Sequence, residues 1–214
     1  MKTTTFKILY EDDDILVCVK PHGLPTQSKN TAVPDLETLL LTHIAANSSA
    51  RPPYLAVIHR LDQPVAGLLV FAKTPFAASK LNKQLQTDGF GKYYKARVSQ
   101  TPAVSQGTLT DYLVKDGRTN TSHICPKNTP GAKLAKLSYR TLEPDLLEIH
   151  LDTGRHHQIR VQLAHMGCPI VGDTKYNPDT QNQKGWQELK LWAFCLSFSH
   201  PRTGKELHFE WEDD

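Results

Sequence analysis

The chain is predicted to adopt an α+β fold: a mixed, largely antiparallel β-sheet with a few flanking helices. Short apolar runs rich in Ile and Val outnumber the amphipathic helical stretches. Most of these runs are joined by turn-forming residues rather than by the long crossovers that parallel strands require. Only three segments carry helical periodicity with recognisable start and stop residues. The 214 residues are enough for a single domain, 1–214, with a full core.

DILVCVKP, residues 14–21, is an apolar run halted by Pro21 and reads as a strand. The Gly- and Pro-containing stretch after it, to Pro34, reads as a loop. Asp35 then opens a helix in which Leu36, Leu39, Leu40 and Ile44 share one face, with His43 beside them. In residues 54–73 the runs LAVI and GLLVFA flank the polar turn HRLDQP, giving strand, loop, strand. The next helix has Thr74 as N-cap, Pro75 at its first position and Gly89 as its stop. YYKARV alternates as a strand, residues 105–140 read as basic strands with exposed loops, and LLEIHL at 146–151 is a further strand. TGRHHQIRVQLAHMG reads as a helix capped by Thr153 and ended by Gly167, and residues 177–185 as a flexible patch. LKLWAFCLSFSH and KELHFEW close the chain as paired strands about the turn PRTG.

Composition limits the function classes. The formal net charge is only +3, so any attraction to nucleic acid must come from the distribution of charge. The four cysteines, Cys18, Cys125, Cys168 and Cys195, form no C-x-x-C pair and lie in or beside apolar stretches, as reduced thiols of a cytoplasmic protein do. No stretch approaches the roughly 20 apolar residues of a membrane helix, and the N-terminus lacks a signal-peptide core. There is no Gly-rich phosphate loop, no H-E-x-x-H and no G-x-S-x-G, so neither a cofactor, a metal nor a hydrolase elbow is expected.

Three segments carry residues suited to chemistry. Asp62 sits in the polar turn between two apolar strands, with His59 and Arg60 close by, a setting in which a carboxylate can be held ionised and aimed. The competing reading is a loop aspartate that satisfies turn amides. In GRHHQIRVQLAH, helical spacing puts His156 and His157 on faces shared with Arg160, while the two histidines themselves point to different sides. Arg160 lies among apolar neighbours and calls for a carboxylate, for which Asp62 is a candidate, unless its guanidinium snorkels to the surface. Tyr94, on a strand among basic and apolar residues, can stack on a base or pack in the sheet.

Taken together, these segments resemble a known family. HRLDQPVAGLLVFAK resembles the H-R-L-D-x-x-T-S-G-L-L-V signature of the RluA-type pseudouridine synthases, and GRHHQIRVQLAHMGCPIVGDTKY is similar to their second signature. ILYEDDDILVCVKPHGLPTQ, KYYKARV and LKLWAFCLSFSHPRTGKELHFE look like the family's opening, middle and closing segments, in the same order. The resemblance implies a sheet with a central cleft for RNA, and an isomerase that converts uridine to pseudouridine in ribosomal or transfer RNA. Asp62 matches the catalytic aspartate, Arg160 the arginine that pairs with it and helps displace the base, and Tyr94 the tyrosine on the flipped uracil. Lys20, His59, Arg60, Arg155 and His157 are then candidates for substrate and RNA contact. Lys92, Lys95, Arg97, Arg118, Lys127, Lys133 and Lys136 would supply wider attraction. A monomer is expected, without an S4 domain. Val65-Ala66 stands where the family has Thr-Ser, Gln162 where His is frequent, and Trp192 where the closing L-H-A has His. The competing functions are a non-catalytic RNA binder and a carboxylate-dependent hydrolase, which would need a second acid.

Overall fold

The computed structural model describes residues 6–30, 32–47, 52–87, 89–181, 183, 185 and 187–213. Its elements run β1 (Lys7–Glu11), β2 (Ile15–Lys20), α1 (Leu36–Asn47), β3 (Ala56–Val57), β4 (Ala66–Ala72), α2 (Pro75–Leu85) and β5 (Phe90–Arg97). They continue as β6 (Gln106–Asp116), β7 (Thr121–Ile124), β8 (Lys133–Glu143), β9 (Leu146–Leu151), α3 (Gln158–His165), α4 (Pro178–Gln181), β10 (Leu191–Ser199) and β11 (Glu206–Glu210). The chain divides into two compact units, residues 1–92 with 193–214 and residues 93–192.

In the first unit the strand order is β1-β2-β4-β10, with β11 on β10 and β3 on β4. The pairs β1–β2, β2–β4, β3–β4 and β10–β11 are antiparallel. Every residue of β2 and β4 is buried, so these strands read as continuous apolar runs rather than alternations. Ile15, Val17, Leu68, Val70, Ala77, Leu81, Leu196 and Phe198 form one packed cluster against α2. The Thr74 side chain caps α2 by accepting from the Ala77 amide at 3.1 Å. The helix closes at Leu85 with Gln86 as its C-cap, short of the expected stop at Gly89. Asp35 accepts from the Thr38 amide at 2.8 Å and so starts α1.

In the second unit the order is β5-β9-β8-β6-β7. Its pairs are antiparallel. Burial alternates along β5, β8 and β9, as in a sheet covered on one face. Register places Tyr94 opposite Ile149 and Ile149 opposite Tyr139. Val161 of α3 packs with Leu113 and Ala135, and α3 therefore covers the face that carries Tyr94, Leu137 and Tyr139. The largely antiparallel α+β fold predicted from sequence is the one observed. Of the stretch expected to be flexible, residues 178–181 form the short helix α4, and residues 182 and 184 lie outside the described residues. Among the described residues no helix is long and apolar enough to cross a membrane.

Gly67, the first glycine after the HRLD turn, has φ +126°, and a Cβ there would lie 2.3 Å from the Ala193 carbonyl oxygen. Both the backbone angle and the β10 main chain exclude a side chain. Gly67→Ala is expected to cost about 3 kcal/mol or more, read as a lowered midpoint in thermal or urea unfolding.

Candidate active site

The HRLD turn leaves a strand and enters another while its own backbone has few internal partners. The segment from Lys20 to Thr26 supplies them. The Leu61 amide donates to Thr26 Oγ1 at 3.3 Å, and the same hydroxyl donates to the Leu61 carbonyl at 3.1 Å. The Gln63 carbonyl accepts from the Gly23 amide at 3.0 Å and from Lys20 Nζ at 3.0 Å. The Pro64 carbonyl lies 2.8 Å from His22 Nδ1, which must donate because a carbonyl can only accept. Val65 donates to the Asp62 carbonyl at 3.0 Å and closes the turn. Asp62 itself is half-buried. Val65 and Ala66, at 2% and 1% exposure, pack in the core, so the turn is held from the opposite side and not by hydroxyls at 65–66.

Two expected RNA contacts in this unit are corrected. Lys20 is fully buried, and its ammonium donates to the carbonyls of Pro21 at 3.0 Å, Leu24 at 2.7 Å and Gln63 at 3.0 Å. All three of its N–H donors are used on the protein. Burial pulls Lys20 down to about 7, and the Asp62 carboxylate pulls it back up. His59 packs edge-on to Phe90 at 5.5 Å, and its Nδ1 is buried with no hydrogen-bond partner among the described residues. Burial, then Lys92, pushes His59 down to about 3, so it is neutral. Arg60 is exposed, and among the described residues no acidic partner holds it.

In the second unit, helix α3 starts later than the helical spacing suggested. Gln158 is its first residue, and His157 precedes it at φ 54°, ψ 24°, in the left-handed region. Thr153 makes no cap: its hydroxyl donates to Gln158 Oε1 at 2.8 Å, and the same Oε1 accepts from the Arg155 amide at 2.9 Å. His156 and His157 consequently do not diverge around a helix; their rings stack at 3.8 Å.

Arg160 is buried, and its Nε and Nη2 donate to the two oxygens of Asp173 at 2.8 and 2.7 Å. Asp173 Oδ1 also accepts from the amides of Lys175 and Tyr176 at 2.9 and 3.1 Å. The Tyr176 ring lies 5.2 Å from the guanidinium carbon. Its hydroxyl accepts from the Ser122 amide at 2.8 Å and meets His157 Nδ1 at 2.7 Å. Burial first, then Arg160, His156, Lys175 and Lys115, pull His157 down to about 2. Tyr94 is 6% exposed on β5, on the sheet face that α3 covers. Asp173 and Tyr176 were given no role from sequence. Their only signal was their place in the second signature.

Several of the outlying cations are neutralised on the spot. Arg97 meets Asp145 at 2.9 Å, and Lys136 meets Asp152 at 2.9 Å. Arg140 meets Glu148 at 2.7 Å. Arg155 is exposed and donates from Nε to the Leu134 carbonyl at 2.7 Å. Arg118, Lys127 and Lys133 are exposed. Within the first unit, Cys195, His208 and Glu210 on β10 and β11 bring a thiol, an imidazole and a carboxylate within 4.8 Å of one another, with only the cysteine buried.

Residues 14–165 match the family model described as RNA pseudouridylate synthase. Ribosomal large subunit pseudouridine synthase D of Vibrio cholerae is 35% identical, over 94% of this chain and 65% of its own length. The uncharacterized RNA pseudouridine synthase YlyB of Bacillus subtilis is 33% identical, over 95% of this chain and 67% of its own. The chain spans about two thirds of the length of these curated relatives. Human RNA pseudouridylate synthase domain containing 4 shares the fold, with a TM-score of 0.75 over 96% of this chain and 88% of that one at 24% identity.

Two outcomes follow from the Arg160 network. Asp173→Asn leaves a buried guanidinium short of a charge partner and is expected to cost about 3–5 kcal/mol in urea unfolding. His157 is neutral in the fold but takes a proton near 6.5 when unfolded, so its contribution is intact above that pH and is lost as pH falls toward its folded value. Between about pH 6.5 and about pH 5 the loss is about 2 kcal/mol. His157→Asn, which tolerates left-handed backbone and does not titrate, should show a shallower acid limb in unfolding midpoints.

Proposed function

The chain belongs to the RNA pseudouridylate synthase family, and on that premise we propose that it isomerises uridine to pseudouridine in ribosomal or transfer RNA with Asp62 as the catalytic carboxylate. The observation that carries this reading is the HRLD turn, whose backbone is tied on both sides of Asp62 so that one carboxylate stands half-buried on a fixed platform. The 214 residues act as one catalytic domain, in the cytoplasm, as a monomer; the isomerisation transfers no electrons and consumes no second substrate, so it calls for no redox cofactor.

The target nucleoside leaves its stack, at a cost of a few kcal/mol. Asp62 acts at the ribose or the base, and the bond from ribose carbon 1′ to uracil N1 breaks. The ring turns, carbon 1′ bonds carbon 5, and the proton of carbon 5 is released as N1 gains one. In this reading Tyr94 holds the ring by stacking and its hydroxyl carries that proton. Arg160, fixed by Asp173 along one edge, helps displace the base. Arg60 and Arg155 meet phosphates.

The test is tritium release from RNA labelled at uracil carbon 5. Asp62→Asn is expected to lower release on the order of 10³-fold or more, while a gel shift shows RNA still bound. Near-normal release from that variant removes Asp62 from the chemistry; bound RNA with no release from the wild-type chain on any substrate identifies a binder. Arg160→Lys is expected to lose most activity as well, because an ammonium lacks the planar fork that Asp173 grips.

A further inference from the structure

The β10–β11 hairpin brings together three side chains that the proposed isomerisation does not use. In its antiparallel register Cys195 lies opposite Glu210, and Ser197 opposite His208. Leu196, Phe198, Leu207 and Phe209 alternate with them and join the core cluster on the other face of the hairpin. Cys195, His208 and Glu210 therefore share one face. Cys195 Sγ lies 3.9 Å from His208 Nε2, and the same nitrogen lies 2.9 Å from Glu210 Oε1. All three ligating atoms fall within 4.8 Å of one another. The main chain is fixed on both sides of them. The Trp211 amide donates to the Phe194 carbonyl at 2.8 Å, and at the turn the His200 amide donates to the Lys205 carbonyl at 2.8 Å. The thiol is buried, at 5% exposure, whereas the imidazole and the carboxylate are exposed.

An exposed pairing of His208 with Glu210 contributes little by itself and needs no thiol beside it. A thiolate, a neutral imidazole and a carboxylate aimed at one point are a ligand set for a borderline-soft divalent cation. The thiolate and the carboxylate together cancel the charge of such an ion. Zinc bonds are about 2.3 Å to sulfur and about 2.0–2.1 Å to imidazole nitrogen. The 3.9 Å between Sγ and Nε2 is shorter than those two bonds end to end, so one ion reaches both atoms with the strands where they are. We propose that Cys195, His208 and Glu210 bind one Zn2+ per chain, with water from the exposed side as the fourth ligand. As the ion enters, the Cys195 thiol gives its proton to solvent. His208 coordinates through Nε2 and carries its one remaining proton on Nδ1. The sulfur ligand disfavours Mg2+ and Ca2+, which take oxygen. The ion cross-links β11 to β10, which makes the site structural rather than catalytic. No short motif marks it in the sequence, because its ligands come from two strands and Cys195 is 13 residues from His208.

The test uses the 214-residue chain, purified without a histidine tag, stripped with a chelator and kept reduced. It is titrated with Zn2+ alone, and separately with Co2+ as a spectroscopic stand-in. One Zn2+ per chain is expected to bind, and the thermal midpoint is expected to rise by several degrees at saturation. Co2+ is expected to give a thiolate charge-transfer band in the near ultraviolet. Cys195→Ser abolishes that band, and Cys125→Ser, at a cysteine of the other unit, leaves it. His208→Gln changes an exposed side chain and so keeps the fold. It is expected to weaken Zn2+ binding by more than the roughly tenfold that losing even an outer partner of a ligand costs. No Zn2+ bound at about 100 µM free ion overturns the proposal. So does a Co2+ complex of the wild-type chain without the charge-transfer band. Binding that survives both Cys195→Ser and His208→Gln also overturns it, because the ion then lies elsewhere on the chain.

Discussion

A polar turn that feeds directly into a strand buried on both faces needs fixed partners for its backbone, and this constraint organises the first unit. The 20–26 segment meets it with a hydroxyl, an amide, an imidazole and an ammonium, each aimed at a backbone group of residues 61–64. The result is a main chain held on both sides of Asp62. Gly67 continues the same logic: β10 runs so close that no Cβ fits, which fixes where β4 begins and hence where the turn ends.

The second unit solves a different problem with a similar economy of parts. A guanidinium buried on a short helix needs a carboxylate, and Asp173 provides one while also accepting from two amides of its own loop. Tyr176 then faces the guanidinium with its ring and His157 with its hydroxyl. His157 is held in a backbone region that histidine seldom occupies, and its ring nitrogen is kept unprotonated by burial and by four nearby cationic or imidazole groups. Strain at His157 and the two-pronged ion pair of Arg160 with Asp173 are parts of one arrangement.

Much of this was legible in the sequence. The strand–turn–strand around Asp62 follows from two apolar runs about a polar stretch, and the caps of α1 and α2 follow from Asp35 and Thr74. What could not be read was conformational or long-range. Nothing in GRHH breaks helical spacing, so the later start of α3 and the stacking of His156 on His157 have no periodic signal. Asp173 lies beyond the helix in a loop, where no period links it to Arg160. Lys20 was read by type as a surface cation, although the unbroken apolar run before it was the sign of a strand that stays buried to its end. Gly89 resembled a helix stop because glycine often is one, but the backbone of Gln86 had already closed α2 onto Lys83 and Gln84.

On the solvent side of the second unit's sheet, Arg97, Lys136 and Arg140 each face an acid. On the proposed reading of an RNA substrate, this bears on how binding depends on salt. Phosphates binding near those side chains displace few condensed counterions, because acidic groups already occupy part of that role. The number of cations in the chain therefore overstates how steeply affinity responds to ionic strength.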